Sequence, residues 1–262
     1  MQQLGSVEVM EASYQKQSFS RHTHDCYAFG VIAAGRLDFS YQNRNWQANP
    51  GDINLVIPGE VHDGHGAKDI GWSYKMLYMP VEFMREINFE LIGTDALPYF
   101  PQGVISHSFI ADNLSVLHET LFDDEGTLLQ QESMLRQWLT SFIAAYSEQK
   151  IKLVKVWKEE RAVRLTMEYL REHFTDNVKL KDLAKVAELS PYYLLRVFKA
   201  SVGIPPHLYQ QQLRVWKAKQ LLADGFSLAA ISSETGFADQ SHFSRQFKKI
   251  TGLTPARYQK MF

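Results

Sequence analysis

Two arginines, Arg196 and Arg245, stand 49 residues apart in matching company. Each lies six residues after a residue suited to cap a helix, Ser190 or Asp239, and each is followed at the same steps by Phe and Lys (Phe198-Lys199 and Phe247-Lys248). On a helix, an arginine fork can bond guanine O6 and N7, glutamine can bond adenine, and hydroxyls and lysines can hold phosphates. The second copy adds Gln240, Ser241, His242 and Lys249. The first adds Tyr192, Tyr193 and Leu195, the last limited to apolar contact such as a thymine methyl. An ordinary solvated helix face has a similar make-up. Recurrence of Arg at the same step after a cap favours the reading of double-stranded DNA.

A second set of residues could bind a small ligand. His22-Thr-His24 precedes one apolar run, and Pro58-Gly-Glu60-Val-His62 follows another. Imidazoles at i and i+2 of a strand point the same way, and a third from a neighbouring strand would complete a facial set. His22, His24, Tyr27, Glu60 and His62 are the candidate effector-binding residues. Phe29, Phe39, Trp46, Trp72 and Tyr74 either line the same pocket or form core, and core is expected for most.

These residues need two kinds of scaffold. Short apolar runs (28–33, 37–41, 53–57, 74–79) alternate with turns at Gly35-Arg36, 42–45, Asn49-Pro50-Gly51-Asp52 and Pro58-Gly59, which predicts a small β-sandwich or barrel. Leu128, Leu135, Trp138, Leu139, Phe142, Ile143 and Tyr146 fall on one helix face, which either covers the β domain or forms a dimer contact. Residues 147–161 read as a partly helical, solvated joint.

Beyond the joint, the offset of 49 continues through Gly203/Gly252, Pro206/Pro255 and Tyr209/Tyr258. It marks a duplicated helix-turn-helix. The first copy has a helix over 180–186, a turn at 187–189 and a second helix from Ser190-Pro191. The second copy has a helix over 228–234, a turn through Gly236 and a second helix capped by Asp239. Phe243, Phe247 and Ile250, like Leu194 and Phe198, form inward stripes. A single helix over 206–223 joins the copies, with Leu213, Trp216, Leu221 and Leu222 packing on both. Its span of ~27 Å compares with about 34 Å between successive major grooves.

Charge divides the same way. Residues 1–150 carry 9 Lys+Arg against 19 Asp+Glu, whereas residues 151–262 carry 19 against 10. A basic portion joined to an acidic one suits a polyanion-binding module attached to a different function. The single cysteine, Cys26, excludes an intrachain disulfide framework. The opening residues lack a basic-then-apolar leader, and the longest apolar stretch, roughly 27–35, is short of the ~20 residues that span a bilayer. No membrane partner and a cytoplasmic location are expected.

Leu183-Ala184, Leu189-Ser190-Pro191, Arg196-Val-Phe198-Lys199, Gly203, Arg214, Ala218 and Leu221-Leu222 resemble the first unit and joining helix of the AraC/XylS family. Gly236-Phe237-Ala-Asp239-Gln240-Ser-His-Phe243-Ser-Arg245-Gln-Phe247-Lys248-Lys249, with Gly252, Pro255 and Tyr258, resembles that family's signature second unit. The likeness covers about the last 95 residues, departing at Ser232 and Leu195. The histidine motifs are similar to those of the cupin barrel, whose metal-binding members add a Glu three to five residues past the second His. Ala28 and Phe29 stand there instead, so neither a metal nor another cofactor is expected.

The resemblance implies an α+β multidomain chain. It has an N-terminal cupin-like β-barrel with flanking helices (1–150, effector binding and dimerisation) and a linker (151–161). An all-α C-terminal domain follows, with two helix-turn-helix units joined by a long helix (162–262). It also implies a transcription activator, not an enzyme, that is a homodimer, responds to a small-molecule effector and contacts RNA polymerase. The alternatives are a metal-dependent cupin enzyme with an accessory DNA-binding domain, and a DNA-binding protein whose barrel only dimerises.

Overall fold

Alternating apolar and polar side chains in the first 80 residues become strands with one buried face. In the computed structural model, which describes residues 7–15, 18–67, 70–106, 108–123, 126–148 and 159–260, contacts divide the chain into two units. One comprises residues 1–124 with 134–154, the other 125–133 with 155–262.

The first unit opens with β1 (Glu8–Tyr14), β2 (Ser18–His22), β3 (Cys26–Gly35), β4 (Leu37–Tyr41), β5 (Arg44–Ala48), β6 (Ile53–Val56), β7 (His62–Gly66) and β8 (Trp72–Pro80). Then come α1 (Val81–Ile92), the short β9 (Val104–Ile105), α2 (Ser108–Phe122) and α3 (Leu128–Tyr146). One sheet has the order β1-β8-β3-β6-β9 and the other β2-β7-β4-β5, with every pairing antiparallel. In β4, Leu37, Phe39 and Tyr41 are buried while Asp38 and Ser40 are not, the period-2 signature of a half-buried strand. Gln42 and Asn43 both take positive φ, 50° and 57°, the geometry that turns a tight β4–β5 hairpin.

The apolar face of α3 has a settled role from Met134 onward. Leu135, Trp138, Leu139, Phe142 and Ile143 are buried, and the rings of Trp138 and Phe142 lie 5.4 and 5.2 Å from that of Phe29 in β3. This stretch covers a sheet, the first of the two roles open to it. Arg136, on the same helix, is buried against Glu86 at 2.5 Å and Glu90 at 3.5 Å, both on α1.

The second unit is helical: α4 (Glu160–Glu172), α5 (Leu180–Ala187), α6 (Pro191–Val202), α7 (Pro206–Ala223), α8 (Leu228–Glu234), α9 (Gln240–Thr251) and α10 (Pro255–Gln259). Residues 151–158 of the expected linker lie outside the described residues. Its last two residues, Glu160 and Arg161, belong to the first turn of α4 rather than to a joint. One apolar cluster gathers Leu170, Leu183, Leu194 and Phe198; a second gathers Leu222, Ile231, Phe243 and Phe247. Helix α7 serves both, with Tyr209 and Leu213 against the first and Val215, Ala218, Leu221 and Leu222 in the second.

Two expected core residues are corrected. Trp216 is 69% exposed, because it points about 200° around α7 from the buried Arg214. Ile250 is 39% exposed in the last turn of α9, beyond the Phe243–Phe247 cluster.

Helix α5 is preceded by Lys179, which offers no side-chain cap. The carboxylate of Glu132, also in the second unit, accepts the Leu180 N–H at 2.5 Å and satisfies one of the four donors left at any helix start.

Candidate nucleic-acid interface and barrel pocket

The two repeat copies start their second helices alike. Ser190 Oγ accepts the Tyr193 N–H at 3.2 Å, and Pro191 occupies the first helical turn of α6. Asp239 Oδ1 accepts the His242 N–H at 2.7 Å at the head of α9. Both helices end on glycines with left-handed φ, 85° at Gly203 and 78° at Gly252. Matching caps give the two helices the same start, length and stop.

What each helix presents differs. On α9, Gln240, Ser241, Arg245, Lys248 and Lys249 are exposed, whereas His242 is 5% exposed with its ring edge-on to Phe237 at 5.5 Å. On α6, Lys199 is exposed and Tyr193 and Arg196 are half-buried. Tyr192 and Leu195 are 8% and 9% exposed, and Leu195 sits within the first apolar cluster. The guanidinium of Arg196 lies over the Tyr192 ring at 5.5 Å. Tyr192, Leu195 and His242 are therefore packed inward on α6 and α9, and the polar residues beside them are exposed or half-buried.

In the first unit, a cavity of about 90 Å³ lies among residues of both sheets. It has room for about six waters at ~15 Å³ each. His22, His24 and His62 line it with Asn54, Trp72 and Tyr78. The three imidazoles meet with one ligand atom of each within 4.8 Å of the others. Ring centroids are 4.2 Å apart for His22–His62, 4.8 Å for His24–His62 and 4.9 Å for His22–His24.

The cause is not the expected i, i+2 alternation along one strand, since His24 lies beyond the end of β2. His22 is brought opposite His62 by the β2–β7 register, and the chain then bends to bring His24 beside them. Tyr27 and Glu60 do not line this cavity. The Tyr27 hydroxyl is buried and donates to Pro98 O at 2.8 Å, and Glu60 contributes its carbonyl oxygen to His62 Nδ1 at 3.1 Å.

Burial pushes His62 down to about 4, with the carbonyl of Glu60 opposing and the neighbouring imidazoles adding to the shift. His24 is lowered too, first by burial and then by His22. Two cavity groups are buried without a hydrogen-bond partner among the described residues: Asn54 Oδ1 and Trp72 Nε1. Asn54 was missed in the sequence, although a lone amide inside the apolar run Ile53–Val56 was a signal for it. Gly30 makes its place, because a β-carbon there would overlap Asn54 Oδ1 and Met76 Sδ.

A helical unit with two matched, cation-bearing helices, joined in one chain to a β unit with a histidine-lined cavity, defines a transcription regulator with separate DNA-binding and ligand-binding parts. Residues 4–150 match the AraC-like ligand binding domain, and residues 183–261 match a helix-turn-helix domain. The chain belongs to the AraC family of transcriptional regulators.

It is 33% identical over 226 residues to the HTH-type transcriptional regulator YbfI of Bacillus subtilis, covering 86% of this chain and 82% of that protein. It is 30% identical to the probable transcriptional regulator LumQ of Photobacterium leiognathi, covering 97% and 95%. The arabinose operon regulatory protein of Escherichia coli is 26% identical, with 89% and 80% covered. Among the described residues no helix is long and apolar enough to cross a membrane.

Proposed function

We propose that the chain is a cytoplasmic, homodimeric activator in which a small effector held in the β cavity changes how α6 and α9 engage DNA. In this reading residues 1–150 bind the effector and dimerise, 151–161 connect, and 162–262 bind the operator and contact RNA polymerase. Base and phosphate contacts come from Tyr193, Arg196 and Lys199 on α6 and from Gln240, Ser241, Arg245, Lys248 and Lys249 on α9. Tyr192, Leu195 and His242 hold those helices in place. The effector is held by His22, His24 and His62 with Asn54 and Trp72.

The observation that carries the reading is the cavity itself, where three imidazoles converge among apolar and aromatic side chains. The E. coli relative's name ties it to an arabinose operon, which supports a metabolite as the signal. An effector acts only through unequal affinity for two states.

The test is selection of bound fragments from genomic DNA by the full chain, with and without a metabolite mixture. A shared sequence motif whose occupancy changes with one metabolite is the expected result. Unselective recovery of DNA in both conditions would refute sequence-specific regulation. A motif with metabolite-independent occupancy would leave a barrel that only dimerises. Turnover of a bound metabolite would return the cupin-enzyme reading.

A further inference from the structure

We propose that His22, His24 and His62 form a binding site for a divalent transition-metal ion such as zinc, nickel or cobalt, and that the ion anchors a small oxyanion as the effector. The oxyanion part rests on reading the β cavity as the effector pocket; the metal part stands on the histidines alone.

The tautomers carry the first step. His22 Nδ1 lies 2.7 Å from Ser20 O, and His62 Nδ1 lies 3.1 Å from Glu60 O. A carbonyl oxygen only accepts, so each Nδ1 carries the proton and each Nε2 keeps its lone pair. Backbone carbonyls that fix a ring in this way are the usual outer support of a metal-binding histidine. One ring nitrogen from each of the three imidazoles lies within 4.8 Å of the others. Around one ion with Zn–N bonds of about 2.1 Å, three imidazole nitrogens stand about 3.4–3.6 Å apart. Ring rotations must therefore close the widest separation by about 1.2–1.4 Å.

The donor set selects the class of ion. Three imidazoles suit zinc, copper, iron and nickel, whereas magnesium, calcium and manganese favour oxygen ligands. The lack of a carboxylate, which argued against a metal in the sequence, changes the character of the site instead. Three neutral ligands leave the ion's double charge offset only by Asp63, which also lines the cavity and accepts the Ser40 N–H, and leave at least one open position, as in three-histidine zinc sites.

In a cavity of about 90 Å³ that charge calls for a compact anion. Phosphate or a short hydroxy-carboxylate has that size and an oxygen to take the ion's open position.

The test uses the full chain, stripped with a chelator and titrated with Co²⁺, whose visible absorption reports nitrogen coordination. One equivalent per chain is expected, displaced by Zn²⁺. Affinity should fall at least tenfold in His62→Gln and His24→Gln and stay unchanged in His65→Gln, an exposed position of β7. Near-UV circular dichroism reports folding, and the half-buried His24 keeps the test alive if His62→Gln unfolds. No stoichiometric binding by the folded wild-type chain, or equal binding by the folded His24→Gln variant, overturns the metal site.

The oxyanion is tested by calorimetry with phosphate and with a short hydroxy-carboxylate, on the Zn²⁺-loaded and the stripped chain. Binding only to the loaded chain is expected; no binding, or equal binding to both, overturns that part. A metabolite response in a chain that binds no Co²⁺ would leave the effector reading intact while removing the ion.

Discussion

Arg214 and Gly236 both close on Thr175, in the segment 174–176. Arg214 Nε donates to Phe174 O at 2.6 Å, and Nη2 reaches Asp176 O at 3.0 Å and Thr175 O at 3.4 Å. At Gly236, in the turn of the second helix-turn-helix, a β-carbon would overlap Thr175 O. Gln210, one turn before Arg214 on α7, donates to Phe174 O and Asp176 O as well. The segment that leaves α4 is thereby fastened to the joining helix and to the second turn at once. This ties α4, α7 and the turn before α9 to one another.

Replacing Gly236 with Ala meets both the overlap and a φ of 74°. The backbone conformation alone should cost about 1–3 kcal/mol, read as a lower urea midpoint. Arg214→Met removes the guanidinium from the carbonyls of residues 174–176 and leaves only Gln210 on Phe174 O and Asp176 O. It should reduce the gain in affinity from a second half-site at least tenfold, since fixed spacing is what gives the second contact its high effective concentration. Anisotropy on one-half-site and two-half-site DNA checks this; an unchanged ratio would mean that the joint does not set the spacing.

Arg245→Ala should weaken specific DNA by about 1–3 kcal/mol while leaving random DNA nearly untouched, as expected of a bidentate base contact. Equal loss on both would demote Arg245 to a phosphate contact. Lys199→Ala, Lys248→Ala and Lys249→Ala should instead each lower the salt slope of binding by about 0.9 per phosphate released. Leu195→Ala should lower stability by about 2–5 kcal/mol, with little change in the preferred sequence.

Those contrasts mark what was legible in the sequence. Caps and stops are local, so Ser190, Asp239, Gly203 and Gly252 could be read directly, and α7 and α8 have the expected ends. Which side of a helix faces its neighbours depends on partners distant in sequence. Leu195 is buried beside the α4 and α5 residues of its cluster, and His242 is buried against Phe237, although both stand among reading residues. In the first unit the histidines were visible as types, but their meeting depends on the β2–β7 register. Tyr27 looked equally suitable, yet it is held inward by Pro98 O and the rings of Phe29 and Phe100.

His207, on α7, is 7% exposed, and burial, with Lys249 adding to it, pushes it down to about 4 from 6.5. Its Nδ1 has no partner among the described residues. The unfolded chain takes up a proton below pH 6.5 that the folded chain refuses until about pH 4. Stability should therefore fall by about 1.4 kcal/mol per pH unit across that window and level off below it. Denaturant titrations at pH 7, 5.5 and 4 on the wild type and His207→Leu check this; the variant should lose that share of the slope.

Arg136→Ala takes the guanidinium away from Glu90, whose side chain is 8% exposed, and from Glu86. Removing one partner of a buried pair costs about 3–5 kcal/mol, so the first unit should melt at lower temperature. Replacing Arg136, Glu86 and Glu90 together by apolar residues should recover most of that loss. If the triple replacement is no better than Arg136→Ala, the charge left behind is not the cause.

The central claim is that one chain reads DNA with two matched helices. Methylation-interference footprinting of the full chain on its selected operator tests it most directly. Two major-groove patches on one face, about 34 Å apart, are the expected result, with one lost in Arg245→Ala and the other in Arg196→Ala. A single patch, or two patches indifferent to both substitutions, would contradict the account.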